Sequence, residues 1–302
     1  MGSAARQDFQ AFADAGITSW DCADHYGPAE KLIGRFLKDH LEQVPNTQVL
    51  TKLCLFTGIE MATVSKESIS RAVDQSRDRL GLPSVDLMQL YWGEYGVPRY
   101  TDAVRYLGDT QAAGAVRHIG LTNFGMPEVQ SIVDTGVPIA SHQIQYSLLD
   151  TRPRNGMAQL CTANGISLLP YGVLAGGFLS DKYLGVPQSN ATADTFSKQK
   201  YGSVIAKRGG WEWFQSLLRT LDVVAKKHGS NISNVASKWV LDEPGVAGVI
   251  IGARNASHVP DYAAIFTLNL DDADRAAIDE VLAKGVQPKG DCYQWERGLG
   301  SF

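Results

Sequence analysis

Short apolar runs alternate with amphipathic stretches along the chain from residue 16 onward. The runs have the length and apolar content of buried strands and lie near Ile17–Ala23, Gln48–Cys54, Val85–Trp92, Arg117–Thr122, His142–Leu148, Ser167–Val173 and Val246–Ile251. The stretches between them carry helix signals, such as Ser65 as a cap and Gly81 after the last turn, or Asp271 and Gly285 around the final helix. Repeated βα units predict a parallel sheet.

The arrangement of these units favours a barrel. No G-x-G-x-x-G follows the first run, which counts against a dinucleotide-binding doubly wound sheet. We therefore predict an α/β fold of the TIM (β/α)8-barrel type. Only seven strands are found, and Phe9, Phe12 and Ala13 make the segment before Ile17 helical. The first barrel strand is thus expected to be missing, with its place filled by the N-terminal segment, the C-terminal tail or another chain.

One domain over residues 1–302 is predicted, with two irregular regions. The polar segment at about 180–213, which contains Gly209, Gly210 and Trp211, is too long for an ordinary βα loop and is expected to be a lid or binding loop. A tail follows Gly285.

Composition and charge limit the partners and the bound groups that are expected. The 302 residues contain 28 Lys and Arg against 32 Asp and Glu, a net charge of −4 without a basic stripe, so no nucleic acid is expected. No apolar run reaches the ~18 residues of a membrane span, and a cytoplasmic protein, monomeric or homo-oligomeric, is expected. The four cysteines have irregular spacing, so neither disulfides nor a metal site is predicted.

Candidate chemistry stands at the ends of the first three strands. Asp21 and Lys52 end two of them, Tyr26 follows in a loop, and Tyr91 ends the third. A phenol is a poor acid at neutral pH unless a cation stabilises its phenolate, and Lys52 could supply that charge with Asp21 holding it. From spacing alone, a purely structural Lys–Asp pair beside a loop tyrosine is an equal alternative.

Six segments, in the order expected, resemble the aldo-keto reductase family. They are the stretch 16–30 with Asp21 and Tyr26, Thr51-Lys52, Gly120-Leu-Thr122-Asn123-Phe124, Gln143-Ile-Gln-Tyr146, Leu169-Pro-Tyr171-Gly172, and Ile250-Ile-Gly252-Ala-Arg254. The resemblance implies a TIM barrel that reduces a small carbonyl compound with NADPH. It makes Tyr26 the general acid, Lys52 its activator and Asp21 the partner of Lys52.

The resemblance also implies a set of cofactor contacts. Asn123 and Gln143 would bind the nicotinamide carboxamide beside Thr122, and Tyr171 would stack on the ring. Backbone amides of Val173 to Gly177, a stretch that includes Leu174 and Ala175, suit a diphosphate because Gly176 and Gly177 allow close approach. Gly172, which precedes them, is expected among the cofactor contacts. Gly252 and Arg254 belong to the adenosine loop, where the guanidinium of Arg254 suits the 2′-phosphate of NADPH.

Three departures from the family pattern affect the predicted chemistry. Tyr91 stands where the family has its catalytic histidine, and some members with that histidine replaced reduce C=C bonds. His258 and Asp261-Tyr262 stand where Gln and Glu-Asn are common, and the first strand is missing. Two alternatives to a carbonyl reductase therefore stay open: the same scaffold with non-redox acid–base chemistry (an isomerase, dehydratase or cyclase), or a catalytically weak cofactor-binding or partner subunit.

Overall fold

The computed structural model describes residues 3–40, 44–252 and 255–299. The chain divides into two compact units, which are described separately. The first unit comprises Met1–Gln143, Leu160–Ser167 and Ala253–Val259, and the second comprises Ile144–Gln159, Leu168–Gly252 and Pro260–Phe302. The prediction of one domain stays a prediction.

The first part of the chain alternates strands and helices as predicted. Its elements are α1 (Ser3–Asp14), β1 (Ser19–Asp21), α2 (Ala29–His40), β2 (Gln48–Leu55), α3 (Gly58–Ala62), α4 (Lys66–Leu80), β3 (Val85–Trp92), α5 (Tyr100–Ala112), β4 (Val116–Thr122) and α6 (Met126–Val133). The helix signals at α4 are confirmed: the Ser65 side chain accepts the Ser68 N–H, and Gly81 is left-handed at φ 67°.

Three boundaries between the units fall inside secondary-structure elements. These elements are β5 (Ser141–Gln145), α7 (Met157–Ala163) and β6 (Ser167–Tyr171). The sheet has six strands in the order β1-β2-β3-β4-β5-β6, and the registered pairs from β1 to β5 are parallel. The α/β class and the parallel sheet are confirmed, while a closed eight-stranded barrel stays a prediction. Among the described residues before β1, the chain forms α1 and no strand.

Helices dominate the rest of the second unit: α8 (Phe196–Arg208), α9 (Gly210–Lys227), α10 (Ile232–Leu241), α11 (Val259–Ile265, of which Val259 belongs to the first unit) and α12 (Asp272–Lys284). Its core packs the apolar faces of α8 to α10 and α12, with residues such as Phe214, Leu218, Val235, Trp239 and Ile278 fully buried. None of the described helices is long and apolar enough to cross a membrane.

The prediction of a seventh strand near Val246–Ile251 is wrong in part. Val246 forms only an isolated parallel bridge with Leu168, although the Ala247 and Ile250 amides donate to the Leu168 and Pro170 carbonyls. Pro170 has no N–H to return to the ladder, and Gly245 and Gly248 disfavour extended structure, so regular pairing ends after one bridge.

The segment at about 180–213 is not a loop throughout, which corrects the sequence-based expectation. Thr195 caps α8, and that helix buries Tyr201, Val204, Ile205 and Arg208 along one face. The apolar positions fall at i, i+3 and i+4, but the Lys, Gln and Ser residues between them make the segment polar on average.

Candidate active site

Strand register brings the predicted catalytic residues to one face of the sheet in the first unit. Lys52 pairs with Gln89 and Cys54 with Tyr91, two positions further along the same strands. The same side continues through Thr122, which pairs with both Tyr91 and Gln143. Because side chains alternate with a period of two, these residues share a face, and they lie toward the carboxyl ends of their strands.

Lys52 and Asp21 form the ion pair that the sequence predicted. Lys52 Nζ donates to both carboxylate oxygens of Asp21 at 2.9 and 2.7 Å, and to the Cys22 carbonyl at 2.8 Å. The side chains are 4% and 15% exposed, respectively. All three donors of the ammonium group thus have acceptors, which holds the charge at one place.

Tyr26 lies beside this pair and stays open to solvent. Its ring centroid is 5.1 Å from Lys52 Nζ, and its side chain is 49% exposed. Loss of surrounding water and then the negative charge of Asp21 raise the pKa of Tyr26 to about 12. The expected lowering of that pKa by Lys52 is not found, because the loss of surrounding water dominates and the Asp21 charge acts in the same direction. The phenol therefore holds its proton at neutral pH.

Two glutamines complete the polar network, and one of them was missed from the sequence. Gln143 Nε2 donates to Asp21 Oδ1 at 2.7 Å and to Gln89 Oε1 at 3.0 Å, while Gln89 Nε2 donates to the same Asp21 oxygen at 3.2 Å. Gly120 makes room for Gln89, since a Cβ there would lie 3.1 Å from Gln89 Cγ and 2.7 Å from Ser141 Oγ. A buried polar residue within the apolar β3 run was the available signal for Gln89.

Asn123 follows β4 in a left-handed turn that its neighbours hold in place. Its φ is 59°, its N–H donates to the Gln143 carbonyl at 3.0 Å, and its own carbonyl accepts the Tyr95 hydroxyl at 3.2 Å. The next amide, Phe124 N–H, donates to Nε2 of His142 at 3.1 Å. Burial lowers the pKa of His142 to about 3, which keeps the ring neutral and able to accept.

Tyr91 lies in a line of aromatic rings that leads to Tyr26. Its ring is 5.4 Å from Phe56, the Phe56 ring is 4.9 Å from His25, and the His25 ring is 4.6 Å from Tyr26. The strand position and this line place Tyr91 on the same side of the sheet as Lys52.

The second unit contains Tyr171 and the glycine-rich turn. Lys200 Nζ from α8 lies 5.5 Å from the Tyr171 ring, and burial raises the Tyr171 pKa well above its usual value. Gly172 has a packing role: its Cβ would lie 1.9 Å from the Tyr201 hydroxyl oxygen. The expectation that Gly172 contacts the cofactor stays a prediction.

The amides of the turn are only partly available to a diphosphate. Ala175 N–H donates to the Gly172 carbonyl at 2.8 Å, and Gly177 N–H donates to the Leu174 carbonyl at 2.9 Å. Val173 is buried. The turn is tight enough to use its own donors, which the sequence-based assignment did not anticipate.

The structure describes the predicted adenosine loop except for residues 253 and 254. Arg254 lies outside the described residues. Gly252 accepts the Tyr262 hydroxyl at 2.7 Å, and Asp261 accepts the Asn231 side-chain amide at 3.2 Å, both within the second unit. In the first unit, His258 ends a short 3₁₀ turn that begins at Ala256.

The donor sets fit a nicotinamide cofactor. Asn123 and Gln143 supply amide groups for a carboxamide, and Thr122 beside them is buried. At Gly177 a Cβ would meet nothing within 4 Å, so the turn is open there. Within the first unit the two side-chain amides are thus of the kind that pairs with a carboxamide, and within the second unit the turn leaves space beside Gly177.

Known proteins resemble this chain over most of its length. The chain is 25% identical over 286 residues to the L-glyceraldehyde 3-phosphate reductase of Escherichia coli K12, covering 90% of this chain and 82% of that protein. It resembles the structure of a glycerol dehydrogenase from Gluconobacter oxydans with a TM-score of 0.79 and 23% identity, covering 96% of this chain and 89% of the other.

A second solved structure, an aldo-keto reductase from Klebsiella pneumoniae in complex with NADPH, matches with a TM-score of 0.71 and 20% identity over 96% of this chain and 88% of the other. The profile of the Aldo/keto reductase family matches residues 3–283. With the parallel βα fold and the Asp21, Tyr26 and Lys52 arrangement described above, this match over nearly the whole chain shows that the protein belongs to the aldo/keto reductase family.

Proposed function

We propose that the protein is an NADPH-dependent oxidoreductase that reduces the carbonyl group of a small aldehyde or ketone. The observation that carries this proposal is the Lys52–Asp21 pair, 2.7 Å long, next to the half-exposed phenol of Tyr26. A buried ammonium held this rigidly beside an accessible hydroxyl suits stabilisation of an oxygen that gains negative charge. The aldehyde named for the Escherichia coli relative is a substrate of this class.

Tyr26 is the proposed proton donor. Its raised pKa keeps the proton on the phenol until the substrate oxygen becomes more basic. NADPH, when bound, supplies the hydride for the carbonyl carbon. The Tyr26 proton then goes to the oxygen, and Lys52 stabilises the phenolate left behind. Asp21 and the Cys22 carbonyl keep Lys52 in place throughout.

Each unit carries residues that the family resemblance assigns to the cofactor, and each set is considered by itself. In the first unit, Asn123 and Gln143 would bind the carboxamide and so select the ring face that delivers hydride, with Thr122 beside them. In the second, Tyr171 would stack on the ring and the turn at Gly177 would approach the diphosphate. Arg254 would bind the 2′-phosphate, and His258 and Asp261 would lie near the adenosine. The NADPH complex of the Klebsiella relative supports this choice of cofactor.

A non-redox acid–base reaction is the second candidate, and Tyr91 is the observation that favours it. The family resemblance puts Tyr91 at the position of the histidine that polarises the carbonyl, and the Tyr91 ring packs against Phe56. A phenol donates one hydrogen bond but does not titrate near neutrality. An isomerase, dehydratase or cyclase could use Tyr26 and Lys52 without net redox change. A weak cofactor-binding subunit is the third possibility.

Two measurements on the purified chain separate these candidates. Titration with NADPH and NADH, followed by tryptophan fluorescence, should show tight binding of NADPH; no binding of either cofactor would overturn the redox proposal. Consumption of NADPH with a nitrobenzaldehyde should then be abolished by Tyr26→Phe while NADPH affinity stays nearly unchanged. Tyr106→Phe, on α5, is the matched control and should keep full activity. Substantial turnover in Tyr26→Phe would refute the role of Tyr26.

A further inference from the structure

Three side chains with metal-binding atoms converge at the end of β2, outside the Lys52–Asp21 pair. They are Asp24, His25 and Cys54, and one carboxylate oxygen, one imidazole nitrogen and the thiol sulfur all lie within 4.8 Å of one another. Two of the residues are adjacent in the loop after β1 and the third is on β2, so only the parallel pairing of these strands brings the set together.

The chain holds this cluster in a defined geometry. Asp24 Oδ2 accepts the Cys54 N–H at 3.1 Å, which ties the loop to the strand. The other carboxylate oxygen lies 3.1 Å from His25 Nδ1. The Cys54 sulfur lies within 4.8 Å of an Asp24 carboxylate oxygen. Asp24 therefore contacts both of the other residues, the Cys54 backbone through one oxygen and the imidazole through the other.

The cluster is accessible from solvent on its imidazole side. The His25 side chain is 40% exposed and that of Asp24 is 25% exposed, whereas Cys54 is half-buried. Burial and the charge of Asp24 raise the pKa of Cys54, so without a cation the sulfur holds its proton. A doubly charged cation would offset both effects.

We propose that Asp24, His25 and Cys54 form a binding site for a thiophilic divalent cation of the Zn²⁺ type. One sulfur, one nitrogen and one oxygen are the donors that Zn²⁺ prefers, and three protein ligands leave a fourth tetrahedral position for water. Binding forms metal bonds to the three side chains and releases the thiol proton to solvent, with no change in oxidation state. Mg²⁺ and Ca²⁺ prefer oxygen ligands and should bind poorly.

The location implies a consequence for the neighbouring site. The His25 ring contacts both Tyr26 and Phe56. A cation bound to the imidazole would fix that ring, which lies 4.6 Å from the Tyr26 ring. Inhibition of turnover by Zn²⁺ would follow if the proposed function is right, but the binding inference does not depend on it.

Co²⁺ provides a direct test, because a thiolate ligand gives an intense charge-transfer absorption that oxygen and nitrogen ligands do not. The chain, first treated with chelator and desalted, is titrated anaerobically with Co²⁺ and then with Zn²⁺. One equivalent of Co²⁺ should produce the thiolate band, Zn²⁺ should displace it, and Mg²⁺ in excess should not.

Variants identify the ligands. Cys54→Ser should remove the charge-transfer band, and His25→Gln and Asp24→Asn should each weaken Co²⁺ binding at least tenfold; the asparagine keeps an acceptor for the Cys54 amide. His118→Gln, on an exposed position of β4, controls for non-specific histidine binding and should change nothing. The proposal is overturned if no thiolate band forms, or if the band survives in Cys54→Ser or is unchanged in His25→Gln.

Discussion

Each unit contains a polar network around one positively charged side chain, and the two networks differ in their access to solvent. In the first unit, Lys52 donates to Asp21, and Gln89 and Gln143 donate to the same carboxylate. In the second unit, Arg152 lies between two carboxylates: it donates to Asp150 at 2.9 and 2.6 Å, and to Glu296 at 3.0 and 2.7 Å.

Solvent access separates the two cases. The Arg152 and Asp150 side chains are each 1% exposed, and Glu296 is nearly as buried, so the network is closed. The Lys52 network instead borders Tyr26, a phenol that is half-exposed. A closed pair can only stabilise structure, whereas a pair beside an accessible hydroxyl can act on a substrate oxygen. The difference indicates that chemistry should be sought at Lys52 and stability at Arg152.

Among the substitutions that test this comparison, Lys52→Met should have the largest effect. Without the ammonium, nothing compensates the Asp21 charge, which already raises the Tyr26 pKa, and the phenolate loses its stabilising cation. Turnover of a carbonyl substrate should fall by about 10²–10⁴, the usual contribution of a general acid. NADPH consumption at saturating substrate measures this. Asp21→Asn, which keeps Lys52, is the matched variant and should fall less; turnover within tenfold of the parent in Lys52→Met would contradict the assignment.

Arg152→Met should have the opposite result to Lys52→Met. It should lower the free energy of unfolding and leave the Lys52–Asp21 network intact. Removing one member of a buried ion pair leaves uncompensated charge on Asp150 and Glu296, and typically costs about 3–5 kcal/mol in the free energy of unfolding. Urea unfolding followed by tryptophan fluorescence measures the change. Lys226→Met breaks an exposed pair with Asp222 in the same unit and should cost little. Equal losses in the two variants would show that burial does not distinguish these pairs.

Arg254→Ala tests whether this side chain makes the protein bind NADPH more tightly than NADH. Arg254 is the only Lys or Arg in the sequence 250–261, so it should supply most of the 2′-phosphate contact. A charge-assisted contact of this kind is worth roughly 1.5–3 kcal/mol, which corresponds to about ten- to a hundredfold weaker NADPH binding. Fluorescence titration with NADH, which lacks the phosphate, serves as the internal control and should change little. Equal losses for both cofactors would assign Arg254 to loop structure.

The smallest effect is expected at Tyr91. Loss of one hydrogen-bond donor to a developing oxyanion costs roughly 10²–10³ in rate, and a tyrosine hydroxyl replaces part of that. Tyr91→His should therefore raise turnover of a nitrobenzaldehyde and Tyr91→Phe should lower it, each by less than that factor. If thermal stability changes while both rates stay constant, Tyr91 is a packing residue against Phe56.

The sequence predicted many strands and helices of the first unit, because their apolar residues recur periodically and their helices carry capping residues. The β3 strand has the predicted bounds, and β2 extends one residue further than predicted. The first strand is shorter than the apolar run Ile17–Ala23, since registered pairing with β2 covers only Ser19, Trp20 and Asp21. An apolar run marks where a strand is possible, but the partner strand decides how much of it pairs.

The sequence by itself predicted the alternation of strands and helices, the helix caps, and the positions of Asp21 and Lys52 near strand ends with Tyr26 in a loop. Apolar periodicity and capping residues are local signals along the chain. Tertiary structure alone decided the rest. It placed Gln89 and Gln143 on the Asp21 carboxylate, Cys54 beside Asp24 and His25, and the Tyr201 hydroxyl against Gly172. It also raised the pKa of Tyr26 where a lowering was expected. These outcomes depend on register, burial and the balance of nearby charges, which are properties of residues far apart in sequence.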